Sequence, residues 1–112
     1  MKNTISGFLG AGVLALALVA GPAIGQAADG SAEKGKEVFE QCSVCHNADS
    51  TETKMGPGLK GLFSRDKLKN GKKPTEANVK AVINEGGKGM PGYADMLTDE
   101  ERTNLLAYLK TL

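Results

Sequence analysis

Residues 42–46 read Cys42-Ser43-Val44-Cys45-His46, and this stretch decides how the rest of the chain is read. At the end of a helix, cysteines three positions apart lie on one face, and the adjoining histidine turns toward whatever that face holds. The spacing is the attachment signature of haem c, in which two cysteine sulfurs bond the porphyrin vinyl carbons and the following imidazole reaches the iron. The chain has only two cysteines and one histidine, and all three fall here. A structural zinc site needs four ligands, one more than these residues supply. A thioredoxin-type dithiol would sit beside a βαβ unit, and no stretch alternates as a strand would.

Working outward, the segment before the motif has a helical period. Ala32, Gly35, Val38, Phe39 and Cys42 fall on one face behind a start signal in Asp29-Gly30-Ser31. A second helix is expected from about Thr75 to Glu85, behind Pro74, with Val79, Val82 and Ile83 on one face and Gly86-Gly87 as its stop. In a third, Thr98-Asp99-Glu100-Glu101 forms a capping box ahead of an apolar stripe of Leu105, Tyr108, Leu109 and Leu112. Residues 47–73 are rich in Gly and Lys and weakly periodic, with room for one helical turn near Leu62–Arg65. So long a loop is justified in a small domain if it wraps a cofactor. The fold class expected is all-α: three main helices and a short turn around one haem.

The chain has 112 residues. Lys2 is its only charge before Asp29, and between them runs the apolar stretch Phe8–Ala20, followed by Gly21-Pro22 and the small residues around Ala27. This pattern describes a secretory leader over residues 1–27, cut after Ala27, with the functional domain at 28–112. An uncleaved membrane anchor is the alternative, weakened by the helix-breaking Gly-Pro. Either way the domain lies outside the cytoplasm, and a bacterial periplasm is the expected place. Without the leader, Lys+Arg and Asp+Glu balance at 13 each, which leaves nothing to suggest nucleic acid. Phe39, Phe63, Tyr93 and Tyr108 are the domain's only aromatics, a thin core that a buried prosthetic group would complete.

Beyond the attachment motif, Gly35-Lys36 with Phe39, Gly56-Pro57-Gly58-Leu59-Lys60-Gly61-Leu62-Phe63, Gly89-Met90-Pro91 and Leu105-Leu106-Ala107-Tyr108-Leu109 follow in order. From Gly35 to Leu109 the chain resembles a class I cytochrome c. The resemblance implies one covalent haem c held by Cys42 and Cys45 and wrapped by helices, the first and last crossing closely where Gly35 and Phe39 meet Leu105 and Tyr108. It implies that the Pro57 carbonyl accepts the second ring N–H of His46. It places Arg65 near a propionate and Tyr93 by the haem edge, and Leu59, Phe63, Val82 and Ile83 are expected to pack on the porphyrin, although core residues of any small helical protein would look the same. The absence of Trp, the short interval from His46 to Met90 and a Lys-rich loop of its own separate the chain from the mitochondrial pattern and suggest a compact bacterial member.

A second iron ligand cannot be histidine within this chain, so a thioether is expected, and the soft sulfur would raise the potential. Met55, Met90 and Met96 can all reach. The resemblance favours Met90, because Met55 precedes the Gly-Pro of the histidine side while Met90 has the Met-Pro context of the family's ligand. Gly86-Gly87-Lys88-Gly89 would serve as a flexible approach to the opposite face, and core packing suits Met96.

Residues 54–73 hold Lys54, Lys60, Arg65, Lys67, Lys69, Lys72 and Lys73 against Asp66 alone. Such a field would steer the protein onto an acidic redox partner, although a solvated lysine loop is the commoner reading. The function expected is a non-enzymatic single-electron carrier with protein redox partners and no small-molecule substrate. The competing readings are a ligand-binding or peroxidase-like haem protein and an electron-transfer subunit of a larger oxidoreductase.

Overall fold

The computed structural model describes residues 30–112. The leader expected at residues 1–27 and its cleavage point lie outside the described residues. Three helices form in chain order, α1 (Ala32–Phe39), α2 (Glu76–Glu85) and α3 (Asp99–Leu109), with a 3-10 turn at Leu62–Ser64. Among the described residues the only extended pairing is an isolated one between Gly87 and Met90. The fold is all-α, as the periodicity predicts.

Each helix starts where a side chain can satisfy an orphan amide. The Ser31 hydroxyl accepts from the Lys34 N–H and the Thr75 hydroxyl from the Asn78 N–H. Thr98 and Glu101 complete the reciprocal capping box at 3.1 and 3.0 Å. The α1 helix ends at Phe39, short of the Cys42 that the periodicity includes. The Glu40 amide bonds the Glu37 carbonyl, tightening the last turn, and the Ser43 hydroxyl donates to the Glu40 carbonyl at 2.6 Å. The chain then runs through tight turns, with the Cys42 and His46 amides bonded to the Phe39 and Cys42 carbonyls.

The core is Phe39, Leu62, Val79, Ile83, Leu97, Leu105, Leu106 and Leu109. The α1 helix packs chiefly on α3, and α2 touches α3 more lightly. Gly35 makes the α1–α3 approach possible. A Cβ there would meet the Asn104 carbonyl group, with its carbon at 2.6 Å, and the Tyr108 Cβ at 2.8 Å. Beside it Phe39 and Tyr108 pack with ring centroids 5.3 Å apart, and the Ser31 N–H donates to the Asn104 side chain at 2.8 Å.

Arg102 is the one buried cation among the described residues. Its guanidinium donates to the Ala94 and Leu97 carbonyls at 3.1 and 3.0 Å, tying the segment before α3 onto the helix. It also meets Asp99 at 2.8 Å, but that carboxylate is fully exposed and contributes little. Arg102→Leu is therefore expected to cost about 2 kcal/mol, lowering the midpoint by about 8–16 °C in a domain of this size. Asp99→Asn should change stability by less than about 1 kcal/mol. Thermal unfolding of the two variants checks the contrast.

Candidate functional site

The attachment motif sits on the turns after α1 and is held from one side by residues 54–57. Four contacts lace the two segments together. The Lys54 ammonium donates to the Ser43 carbonyl at 3.0 Å, and the Gly56 N–H to the Cys45 carbonyl at 2.8 Å. The Met55 Sδ lies 3.9 Å from the Cys45 Sγ, and the His46 Nδ1 is 2.7 Å from the Pro57 carbonyl oxygen.

The last contact sets the tautomer. A carbonyl can only accept, so His46 carries its proton on Nδ1 and keeps the Nε2 lone pair for a metal. Gly56 lies flat on the same ring: a Cβ there would stand 2.5 Å from Cε1 and 2.8 Å from Nδ1. Any side chain at position 56 would push the imidazole from its place.

Cys42 and Cys45 are free thiols, each half-buried. Burial pushes the Cys42 thiol up to about 11, and the nearby Cys45 adds to the effect. Tyr93 titrates above its ordinary value, first through desolvation and then through the charges of Cys42 and Cys45.

Met90 lies in the loop that follows α2. Its backbone exchanges two bonds with Gly87, at 2.9 and 3.0 Å, closing a turn in which Lys88 and Gly89 have φ of 50° and 92°. The expected flexible approach is therefore a tight turn, because these left-handed conformations allow the chain to reverse within two residues. The strand-like segment beyond it lies on the end of α2. The Tyr93 N–H donates to the Ile83 carbonyl at 2.8 Å, and a Cβ on Gly86 would strike the Met90 carbonyl. Met90 is half-buried.

The other candidate thioethers stand differently. Met96 is 59% exposed and is not the core residue expected, since Leu97 beside it takes the buried position. Met55 is 83% exposed, on the same side as the Pro57 that engages His46.

Leu59, Phe63 and Tyr93 are half-buried against the core, Val82 is half-buried and Ile83 is fully buried. Arg65 donates to the Gly58 and Lys60 carbonyls at 2.6 and 3.0 Å, bracing the loop that follows Pro57. Asn47 supports that loop from within, its carbonyl accepting the Leu59 N–H and its side chain donating to the Glu52 carbonyl. Sequence reasoning missed Asn47 and Arg102 and read Lys54 only as part of the basic stretch; all three act through backbone carbonyls and leave no spacing to read.

The donor set fits a c-type haem: two adjacent thiols, an imidazole with Nε2 free, and a glycine whose missing side chain leaves room for that ring. Comparison with known proteins agrees. The cytochrome c family model matches residues 32–112. A cytochrome c2 of Rhodospirillum rubrum is 34% identical over 95% of this chain and 97% of its own. A cytochrome c2 of Blastochloris viridis is 32% identical over 88% of each. Among solved structures, cytochrome c6 of the diatom Phaeodactylum tricornutum superposes with a TM-score of 0.59 at 26% identity, covering 73% of this chain and 93% of that one. With a family match across the whole of the described helices and a relative aligned nearly end to end, the chain belongs to the cytochrome c family.

Proposed function

We propose that this protein is a single-electron carrier with one haem c, bonded through Cys42 and Cys45 and ligated by His46 and Met90. The observation that carries this reading is the 2.7 Å contact from His46 Nδ1 to the Pro57 carbonyl, which leaves Nε2 as the one free imidazole donor beside two half-buried thiols. The haem supplies an iron that cycles between two oxidation states. The chain's own work is to hold ligands and exclude water. Pro57 and Gly56 fix the imidazole, the Gly87–Met90 turn holds the thioether, and Leu59, Phe63, Val82 and Tyr93 supply apolar cover. With His46 and Met90 both holding the iron, no coordination position would be left for a substrate, which favours electron transfer over catalysis.

The expected setting is the bacterial periplasm, reached by removal of residues 1–27. No helix among the described residues is long and apolar enough to cross a membrane. Redox proteins with acidic surfaces are the expected partners. Among the described residues, no lysine of the 54–73 stretch pairs with a carboxylate, the ion pairs being Arg102–Asp99 and Lys110–Glu76.

The test is the absorption spectrum and redox titration of protein made with haem-attachment machinery. Haem that resists extraction by acidified organic solvent, a one-electron midpoint and the weak near-infrared band of sulfur ligation are expected. Cys42→Ala with Cys45→Ala should give colourless protein. A tetrapyrrole that washes out of the wild type would end this reading.

A further inference from the structure

The two backbone carbonyls that flank His46 both reach across to the segment carrying Pro57. The Cys45 carbonyl accepts the Gly56 N–H at 2.8 Å, and the Asn47 carbonyl accepts the Leu59 N–H at 2.7 Å. Pro57 stands between those two donors, with its own carbonyl 2.7 Å from the His46 Nδ1. A proline has no amide with which to anchor itself, so its neighbours fix its place. On the far side, residues 50–52 fold against Gly58. A Cβ on Gly58 would strike the Ser50 carbonyl and stand 2.7 Å from the Glu52 carbonyl oxygen. The half-buried Asn47 holds that turn: its side-chain amide donates to the Glu52 carbonyl at 3.0 Å. The Lys60 N–H adds a longer bond to the Ser50 carbonyl, at 3.3 Å. Asn47 thus grips the surroundings of Pro57 twice, by its backbone at Leu59 and by its side chain at the turn against Gly58.

We propose that Asn47 is a positioning residue for the imidazole ligand. Through the turn at 50–52 and Gly58, its side-chain amide holds the Pro57 carbonyl on the His46 Nδ1–H and so sets how strongly the ring donates to the metal. This inference rests on the carrier reading and adds a residue that tunes its potential. A carbonyl drawing on the Nδ1 proton makes Nε2 a more basic ligand, which favours ferric iron. Let the carbonyl drift, and the preference moves toward ferrous iron. Loosening that merely admitted water would act in the opposite sense, because water stabilises the higher charge of the ferric site. The sign of the potential change therefore separates positioning from general support.

Two readouts on the intact holoprotein test it. In the ferrous state, exchange of the His46 Nδ1 proton with solvent deuterium is followed by NMR. Asn47→Ala should speed it by about fivefold, the equilibrium factor of one exposed hydrogen bond. In redox titration the same variant should raise the midpoint by about 20 mV, a shift of about twofold toward ferrous iron. Asn70→Ala serves as the control, removing a side chain that accepts the Lys72 N–H within the 54–73 stretch. It should change neither quantity. Unaltered exchange in Asn47→Ala, or a midpoint that stays or falls, overturns the positioning role while leaving the carrier reading intact. Equal effects from Asn70→Ala overturn it as well. A wild type that does not cycle by one electron removes both.

Discussion

Gly35→Ala should lower the thermal midpoint of the holoprotein by about 16–32 °C, from a cost of about 4 kcal/mol in a domain of this size. The sign is what makes the test informative. In an exposed helix interior the same change adds up to about 1 kcal/mol of stability, because alanine surrenders less backbone freedom than glycine. Here the new methyl group would sit on the Asn104 carbonyl group and 2.8 Å from the Tyr108 Cβ, where ordinary carbon contacts are about 3.5–4.0 Å. Relief requires α1 and α3 to separate by on the order of 1 Å, since backbone rather than a flexible side-chain tip is in the way. Separation would loosen Phe39 from Tyr108 and stretch the bond from the Ser31 amide to Asn104. With native stabilities of about 5–15 kcal/mol, much of the margin would go. Circular dichroism melting of wild type and variant measures it, and a midpoint equal to or above wild type would mean that α1 and α3 do not meet at Gly35.

That helix crossing could be foreseen because the resemblance to the family implies it, and a glycine inside an amphipathic helix, locally unfavourable, agrees with it. The capping box of Thr98 was equally legible, whereas Ser31 is one of three residues able to start α1, and Thr75, expected as the start of the second helix, is its cap. Where the reading fell short, the deciding interaction left no period. The α1 helix stops at Phe39, where the Glu40 and Cys42 amides turn to carbonyls three residues back, a switch that no periodicity announces. The width of the buried face of α3 exceeded the expected stripe: Arg102, Asn104 and Leu106 are buried as well, because α3 packs on two helices and also anchors the chain before it. Nothing in the position of Arg102 announces that its partners are the carbonyls of Ala94 and Leu97.

The candidate site divides along the same line. Cys42, Cys45 and His46 are contiguous, so their chemistry is written in local spacing. The Pro57 carbonyl reaches His46 from a separate segment, and the resemblance to the family supplied what spacing could not. Met90 is harder, for reach alone admits three methionines. The structure separates their surroundings by exposure and by bracing: Met55 and Met96 are exposed, whereas Met90 is half-buried at the end of a turn closed by two hydrogen bonds.

Met90→Ala should accordingly leave the haem attached, lower the reduction potential and abolish the near-infrared sulfur band. Attachment is expected to survive because it depends on Cys42 and Cys45, which lie on the turns after α1 and not on the loop closed by Gly87 and Met90. The potential should fall because a thioether favours ferrous iron more than water or hydroxide does. Each tenfold loss of that preference lowers a one-electron midpoint by about 59 mV. The opened position should then take imidazole or cyanide that the wild type resists. Met90→His separates ligation from bulk: it should keep two axial ligands and exclude added imidazole, yet lose the sulfur band and the high potential. The same substitutions at Met96 should change none of these properties. The turn explains why position 90 would hold a ligand through the redox change. Gly86 lets the Met90 carbonyl approach the end of α2, and the Tyr93 amide is bonded to the Ile83 carbonyl. These bonds brace the segment that carries the sulfur. If Met90→Ala kept both the sulfur band and the wild-type midpoint, the iron's second ligand would have to come from Met55 or Met96.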